Sequence, residues 1–434
     1  MKKGVIRAAA AALFLALLAA GILAANRTQT QPGTPELEPC AERDFLRAEL
    51  TYDEGTRTLR GTGTLTATNR TGQALSEAAL RLMMNGRQGA SVSVSGVTVN
   101  GEAALFTQDD DDATVLYIPL DWQSGETVEL SFTLMIAHEE TEGAAIVLLP
   151  ALAMWENGAW RTDAYDDLAE PGYAQAFDFV VLLDGEVTAQ MRGAREAVFA
   201  LDPNGKRAAK TVGGTRVTTI APSAAAARRL LGQAQTGLES LKELGLDYPF
   251  DALTVVESGA AAQDGLSCSG LIALPKEAKR EAQLQKLTRL IARQTFGTLV
   301  ENDPWNAPWL SLSLSSAVEM IAYRHRKGDA AYETRFFEEI EVGARLTRPA
   351  GVCVGAGTAH FGGETEMTQV LRDQGAAMLL GIEQAVGETA FLDALRLYAD
   401  QSAGGVGSLS ALEEALLSVT GSDWSGYLED ELAF

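Results

Sequence analysis

The sequence predicts an α+β, multi-domain protein, with an amino-terminal β-sandwich followed by an α-rich domain carrying a small sheet. Three observations predict it. From about residue 45 to 220, apolar and polar residues alternate in short runs, as in Val92, Val94, Val97 and Val99 or Val128, Leu130 and Phe132, with glycine and acidic turns between them. After Pro222 the apolar residues recur at helical spacing instead. The chain has 434 residues, 46% of them apolar, which is enough for more than one buried core.

The chain opens with Lys2, Lys3 and Arg7, and no charge follows from Ala8 to Ala25. This is the pattern of an export signal or a single membrane anchor, and it places the mature protein outside the cytoplasm, secreted or held at the cell membrane. Eighteen helical residues reach roughly 27 Å, close to a bilayer core, so length does not separate the two. Leu23-Ala24-Ala25 suits a signal peptidase, the length of the run suits an anchor, and no cysteine ends the run as a lipoprotein would require. Residues 26–44 form a linker, of which 28–39, with Pro32, Pro35 and Pro39, is expected to be a solvated tether.

Residues 45–222 are assigned to the sandwich. Its four consecutive aspartates, Asp109 to Asp112, lack the alternate-position spacing of a calcium loop and are expected at a solvated hairpin tip. Residues 223–434 are assigned to the α-rich domain. Helices are predicted over 224–244, 276–300, 310–326, 331–346, 368–385, 389–398, 408–419 and 423–432, with a short strand over 250–256. The helix at 276–300 has Leu284, Leu287, Leu290 and Ile291 on one side. Gly404-Gly405-Val406-Gly407 lacks the strand, lysine and helix of a phosphate loop and is expected to be a turn.

Charge and cysteine usage exclude several functions. Lys and Arg total 35 against 58 Asp and Glu, a net charge of −23 that repels phosphate backbones, so no nucleic-acid partner is expected. Cys40, Cys268 and Cys353 are odd in number and have no CxxC spacing, so they imply no disulfide framework. His138, His325 and His360 are far apart in sequence and are expected to be ordinary surface or loop residues, with no metal cofactor built from them.

The most informative stretch is Arg289 to Gly297, R-L-I-A-R-Q-T-F-G. It resembles the H-E-L-A-H-Q-W-F-G helix of the gluzincin zinc aminopeptidases, the membrane alanyl aminopeptidase and leukotriene hydrolase family. In that family two histidines one turn apart bind zinc, and the glutamate between them is the general base. Here those positions hold Arg289, Arg293 and Leu290. Nineteen residues beyond Arg293, inside Pro308-Trp309-Leu310-Ser311-Leu312, the third zinc ligand of the family's W-L-x-E-G-L segment is Leu312. The glutamate of the family's G-M-E-Y-P-G substrate loop falls on Ser267, in Gly265-Leu266-Ser267-Cys268-Ser269-Gly270. The tyrosine of its Y-E-K-G-A motif falls on Arg372, in Arg372-Asp373-Gln374-Gly375-Ala376. Residues 52–85, the Trp155–Trp160 stretch and residues 173–179 look like parts of the family's amino-terminal sandwich, and 423–432 looks like its closing helix. The likeness spans roughly residues 45 to 434.

The resemblance implies a thermolysin-like architecture without its catalytic side chains. A guanidinium is neither a zinc ligand nor a base at neutral pH. Under this reading Arg289, Arg293, Leu312, Ser267 and Arg372 converge on one cleft of a non-catalytic envelope protein, a pseudopeptidase that needs no zinc. Two accounts of the arginines stay open. One is a receptor for an anion, a carboxylate, a peptide or a protein partner, because guanidinium forks bind such groups bidentately. Like charges 4 Å apart repel by roughly 4 kcal/mol at an effective dielectric near 20, so something negative must sit among them. Glu319, seven residues beyond Leu312, is expected to neutralise Arg293. The other account is internal pairing or exposure to solvent. The rival functions are an active zinc aminopeptidase and a structural subunit of an envelope complex. Ser267 beside Cys268 is explained as the altered substrate loop rather than as a nucleophile, and the serines of 311–316 are expected to cap the start of a helix.

Overall fold

The computed structural model describes residues 35–108, 112–138, 143–169, 174–259, 261, 263–342 and 352–433. The expected leader, most of the tether, three of the four aspartates and the end of the helix expected at 331–346 lie outside the described residues. Among those described, no helix is long and apolar enough to cross a membrane.

Alternation builds the first half. In Thr127–His138 the residues facing inward, Val128, Leu130, Phe132, Leu134 and Ile136, are all at most 2% exposed, while their neighbours are wetter. That strand lies within a seven-stranded sheet ordered Glu186–Ala194, Phe177–Leu183, Asp44–Asp53, Thr58–Thr68, Thr127–His138, Ala90–Val99 and Glu102–Ala103. A four-stranded sheet, Ala151–Leu152, Leu75–Arg81, Val115–Trp122 and Thr107–Gln108, shares its core, which includes Trp122 and Leu80. All pairings in the larger sheet are antiparallel except Asp44–Asp53 with Phe177–Leu183, where the chain returns to the first strand after more than 120 residues.

The tether is shorter than expected. Its last part, residues 35–39, is docked on the sandwich: the Leu37 amide donates to Gln190 Oε1 at 2.9 Å, Gln190 Nε2 donates to the Pro35 carbonyl at 3.2 Å, and Arg47 pairs with Glu36 at 2.6 Å.

The second half is helical around a five-stranded sheet ordered Lys206–Val212, Thr215–Ala221, Ala252–Glu257, Leu271–Leu274 and Leu266–Cys268. The helices are α1 (Ala224–Glu243), α2 (Arg280–Arg293), α3 (Trp309–Lys327), α4 (Asp329–Arg335), α5 (Glu364–Thr368), α6 (Gly375–Val386), α7 (Glu388–Ser402), α8 (Leu409–Thr420) and α9 (Ser425–Ala433). Its central strands, Ala252–Glu257 and Leu271–Leu274, are buried on both faces, as their near-continuous hydrophobic runs require. Leu253, Val255, Ile272 and Leu274 join the helical core, while Val256, Cys268, Leu271 and Ala273 join the sandwich core. One sheet therefore serves two cores and fixes the cleft between them.

Three helices carry π-helical turns where continuous helix was predicted, among the described residues. Gln294–Leu299 follows α2 directly, Phe336–Val342 follows α4, and Gln369–Gln374 runs into α6. Such turns re-aim side chains and recur at functional sites. The serines of α3 do not act as caps. Pro308 holds the N-cap position without a side-chain bond, and Ser315 and Ser316 donate back to the Ser311 and Leu312 carbonyls at 2.6 and 2.7 Å.

Candidate functional site

The positions that the resemblance singles out lie on four pieces: α2, α3, the strand Leu266–Cys268 with the loop before it, and the π turn at 369–374. They do not share one cavity. Ser267, Arg293 and Leu312 line a cleft of about 500 Å³ between the sandwich and the helical domain. Arg289, Arg372 and Glu319 line a second space of about 360 Å³ behind it. Asp264, which no sequence motif singled out, lines both.

Asp264 is the hinge of the charge arrangement. Its Oδ1 accepts from Arg289 Nη2 in a very short contact and from Arg372 Nη1 at 3.2 Å. Arg372 also grips the neighbouring Asp373 through Nε at 2.6 Å and Nη2 at 2.9 Å. Burial lowers the pKa of Arg289, with Asp264 opposing it. At Arg372 burial also opposes the charge, but the bonds to Asp373 and Asp264 outweigh it and raise the pKa. One carboxylate thus separates two guanidiniums that would otherwise repel.

Glu319 does not meet Arg293. It is 1% exposed and held bidentately by Arg335, with Nη1 to Oε1 at 3.0 Å and Nη2 to Oε2 at 2.8 Å, while Arg335 Nε reaches Glu339 at 2.8 Å. The chain turns back at Gly328 between α3 and α4, which brings Arg335 to Glu319. Arg293 instead lies at the floor of the larger cleft, 9% exposed, and burial pushes its pKa down to about 10.

Leu290, at the position of the family's general base, is fully buried against Gly265. That glycine has φ +90°, and a Cβ there would stand 2.6 Å from Leu290 Cδ1. Ser267 donates to the Leu290 carbonyl at 3.2 Å and accepts from Gln294 Nε2 at 2.7 Å, so its hydroxyl is tied to the helix. Gln294 also donates to the Cys268 carbonyl at 2.7 Å and accepts from the Gly270 amide at 2.9 Å, stitching the 265–270 segment to the π turn.

Sequence reasoning also missed the methionines. Met83, Met84 and Met367 line the larger cleft from opposite domains. Only Asp373, beside Arg372, carried a sequence signal that could have found its pairing.

The three histidines stay apart. His138 stacks on Tyr52 with ring centroids 6.0 Å apart, His325 pairs with Glu388 at 2.8 Å, and His360 faces the Gly357 carbonyl. The donors at the four corresponding positions do not fit zinc. Two are guanidiniums and two are leucines, and the carboxylate oxygen that meets Arg289, Asp264 Oδ1, already accepts from two arginines.

No protein-family model matches this chain, and no curated protein does. Solved structures do match. A mutant M1 zinc metallopeptidase from Deinococcus radiodurans aligns over 90% of this chain and 93% of its own at 18% identity, with a TM-score of 0.62. The fold is M1 metallopeptidase-like. The two-domain form of such a mutant bound to L-arginine gives the same figures, and one bound to a Tyr-Ser-Ala substrate covers 90% and 94% at 19% identity and a TM-score of 0.61. These likenesses bear out the mixed α+β architecture, with its sheet-rich first half and helical second half.

Proposed function

We infer that this chain is a non-catalytic, M1-like binding protein of the cell envelope, delivered there by its apolar amino-terminal run, whose interdomain cleft takes a ligand without hydrolysing it. The observation that carries this reading is the Asp264 bridge. The carboxylate that sits among the altered positions is already spent on Arg289 and Arg372, and nothing among those positions can hold a cation or take a proton from water. The retained cleft, about 500 Å³ with walls from both domains, is of the size that holds small ligands.

The rival is an active zinc aminopeptidase, as the likeness in fold suggests. Metal analysis of the purified protein by inductively coupled plasma mass spectrometry, with a fluorogenic aminoacyl reporter assayed in added zinc, separates the two. The expected result is less than about 0.1 zinc per chain and no turnover above buffer. Stoichiometric zinc together with turnover would overturn the proposal.

A further inference from the structure

We propose that the hairpin of strands Lys206–Val212 and Thr215–Ala221, with the groove beside the docked tether, seats the protein on the surface of an anionic bilayer, its lysines and arginines meeting the phosphates of acidic lipids. This rests on the envelope reading above and names the side of the molecule that faces the membrane.

Charge is spread unevenly along a chain of net −23. Residues 203–238 hold six cations, Lys206, Arg207, Lys210, Arg216, Arg228 and Arg229, and no Asp or Glu, the longest acid-free stretch beyond residue 36. Three of the six lie on Lys206–Val212, the edge strand of the small sheet, and Arg216 lies on the strand paired with it. Arg207, Lys210 and Arg228 are exposed, and Lys206 and Arg216 are half-buried. Asp202, just before the stretch, acts on Arg207, and Arg229 pairs with Glu257 at 3.0 Å.

Between this hairpin and the sandwich strand Glu186–Ala194 runs a groove of about 420 Å³. Arg207 and Arg216 line it from the hairpin and Arg192 from the sandwich, while Asp251 is the one carboxylate among the described lining residues. Arg192 also holds the buried Asp178 at 2.9 Å. Leu37 of the docked tether lines the same groove, so the chain enters the fold at this face. Residues 26–34 join that point to the apolar run, and nine residues span at most roughly 32 Å.

Lysines on an edge strand also block pairing between sheet edges, but that role does not extend to Arg192 and Arg216 on other strands. The surface potential of an anionic bilayer attracts clustered Lys and Arg and falls off within a Debye length, about 8 Å at physiological ionic strength. At that range the acidic remainder of the chain is screened, and the cations of the face set the sign of the interaction.

Flotation and hydrogen–deuterium exchange of the full chain test the idea on two kinds of vesicle, phosphatidylcholine alone and phosphatidylcholine mixed with phosphatidylglycerol. Amides of Lys206–Val212 are expected to exchange at least about threefold more slowly on the mixed vesicles. The slowing should vanish in about 1 M NaCl, where the Debye length is about 3 Å, and in the triple variant Lys206→Gln, Arg207→Gln, Lys210→Gln. The lipid and salt comparisons on the wild type keep the test decisive should the variant fail to fold. Equal exchange on the two vesicles overturns the inference, and flotation on phosphatidylcholine alone leaves the envelope reading in place. Slowing that persists in the triple variant assigns the contact to another face and also overturns it, as does slowing by soluble polyphosphate with none on vesicles. No flotation on either vesicle strikes at the envelope reading as well.

Discussion

At the scale of single residues, Asp264 joins Arg289 to Arg372. A buried ion pair is weak evidence of stability, because desolvation consumes much of its attraction, but breaking one strands the partner charge. Arg289 is 6% exposed and Asp264 Oδ1 is its ion-pair partner. Asp264→Asn, close to isosteric, is therefore expected to destabilise the chain by about 3–5 kcal/mol, read as a lower urea midpoint at unchanged slope. Asp264→Asn combined with Arg289→Met, which removes both buried charges, should recover most of the loss. A single variant within about 0.5 kcal/mol of wild type, the range of ordinary surface changes, would mean that the bridge is ornamental.

The sequence could not have pointed to this bridge. Asp264 is one of 58 acidic residues, and its partners lie 25 and 108 positions away, so only the folded loop brings them together. The expected Glu319–Arg293 pairing failed for a related reason. Residue spacing along one helix says nothing about Arg335, which reaches Glu319 from the next helix after the turn at Gly328.

At the scale of elements, local pattern made most of the fold legible and close packing explains the rest. Alternation pointed to the strands of the first half and helical spacing to α1–α4 and α6–α9, because each element buries one face, while α5 and the short strands Leu266–Cys268 and Leu271–Leu274 were missed. The register of the parallel pair Asp44–Asp53 with Phe177–Leu183 and the three π turns were not legible, since they answer to distant contacts.

Gly375 shows such a contact. It opens α6 where that helix crosses α3, and Ser313 Oγ, which donates to the Leu371 carbonyl at 2.7 Å, lies 2.0 Å from where a Cβ would stand. Packing against Ser313 thus leaves no room for a side chain at Gly375. Gly375→Ala, normally favourable in a helix, is expected to cost about 1–3 kcal/mol by overpacking. Differential scanning calorimetry should show a lower Tm, and a raised Tm would place the two helices farther apart.

At the scale of the whole molecule, the two halves are pinned by a buried ionic cluster outside the cleft. Arg195 and Glu196 come from the sandwich side, where Arg195 donates to the Ala174 carbonyl at 2.8 Å and to the Gly405 carbonyl at 3.1 Å and stands 3.6 Å from Glu301. Ser269, in the turn that closes the small sheet, gives its amide to Glu196 at 2.9 Å and accepts the Arg195 amide at 2.7 Å. Two carboxyl groups, at 6% and 4% exposure, thus share one guanidinium, with the buried Cys268 thiol close by. Burial raises Glu196 from 4.5 to about 7, against the bonds from Ser269 and the charge of Arg195, and raises Glu301 well above its usual range.

A carboxyl whose pKa is higher in the folded state binds its proton more tightly there than in the unfolded chain. Its stabilising contribution is complete below about 4.5 and is lost as pH climbs through about 7. The urea midpoint of the wild type is therefore expected to fall between pH 5 and pH 8. Glu196→Gln, which mimics the protonated form, should flatten that decline and leave the variant relatively more stable at pH 8 than at pH 5. The difference between the two proteins isolates this group from the self-repulsion of a chain carrying −23. Parallel curves for the two would show that the joint holds no proton that matters to its strength.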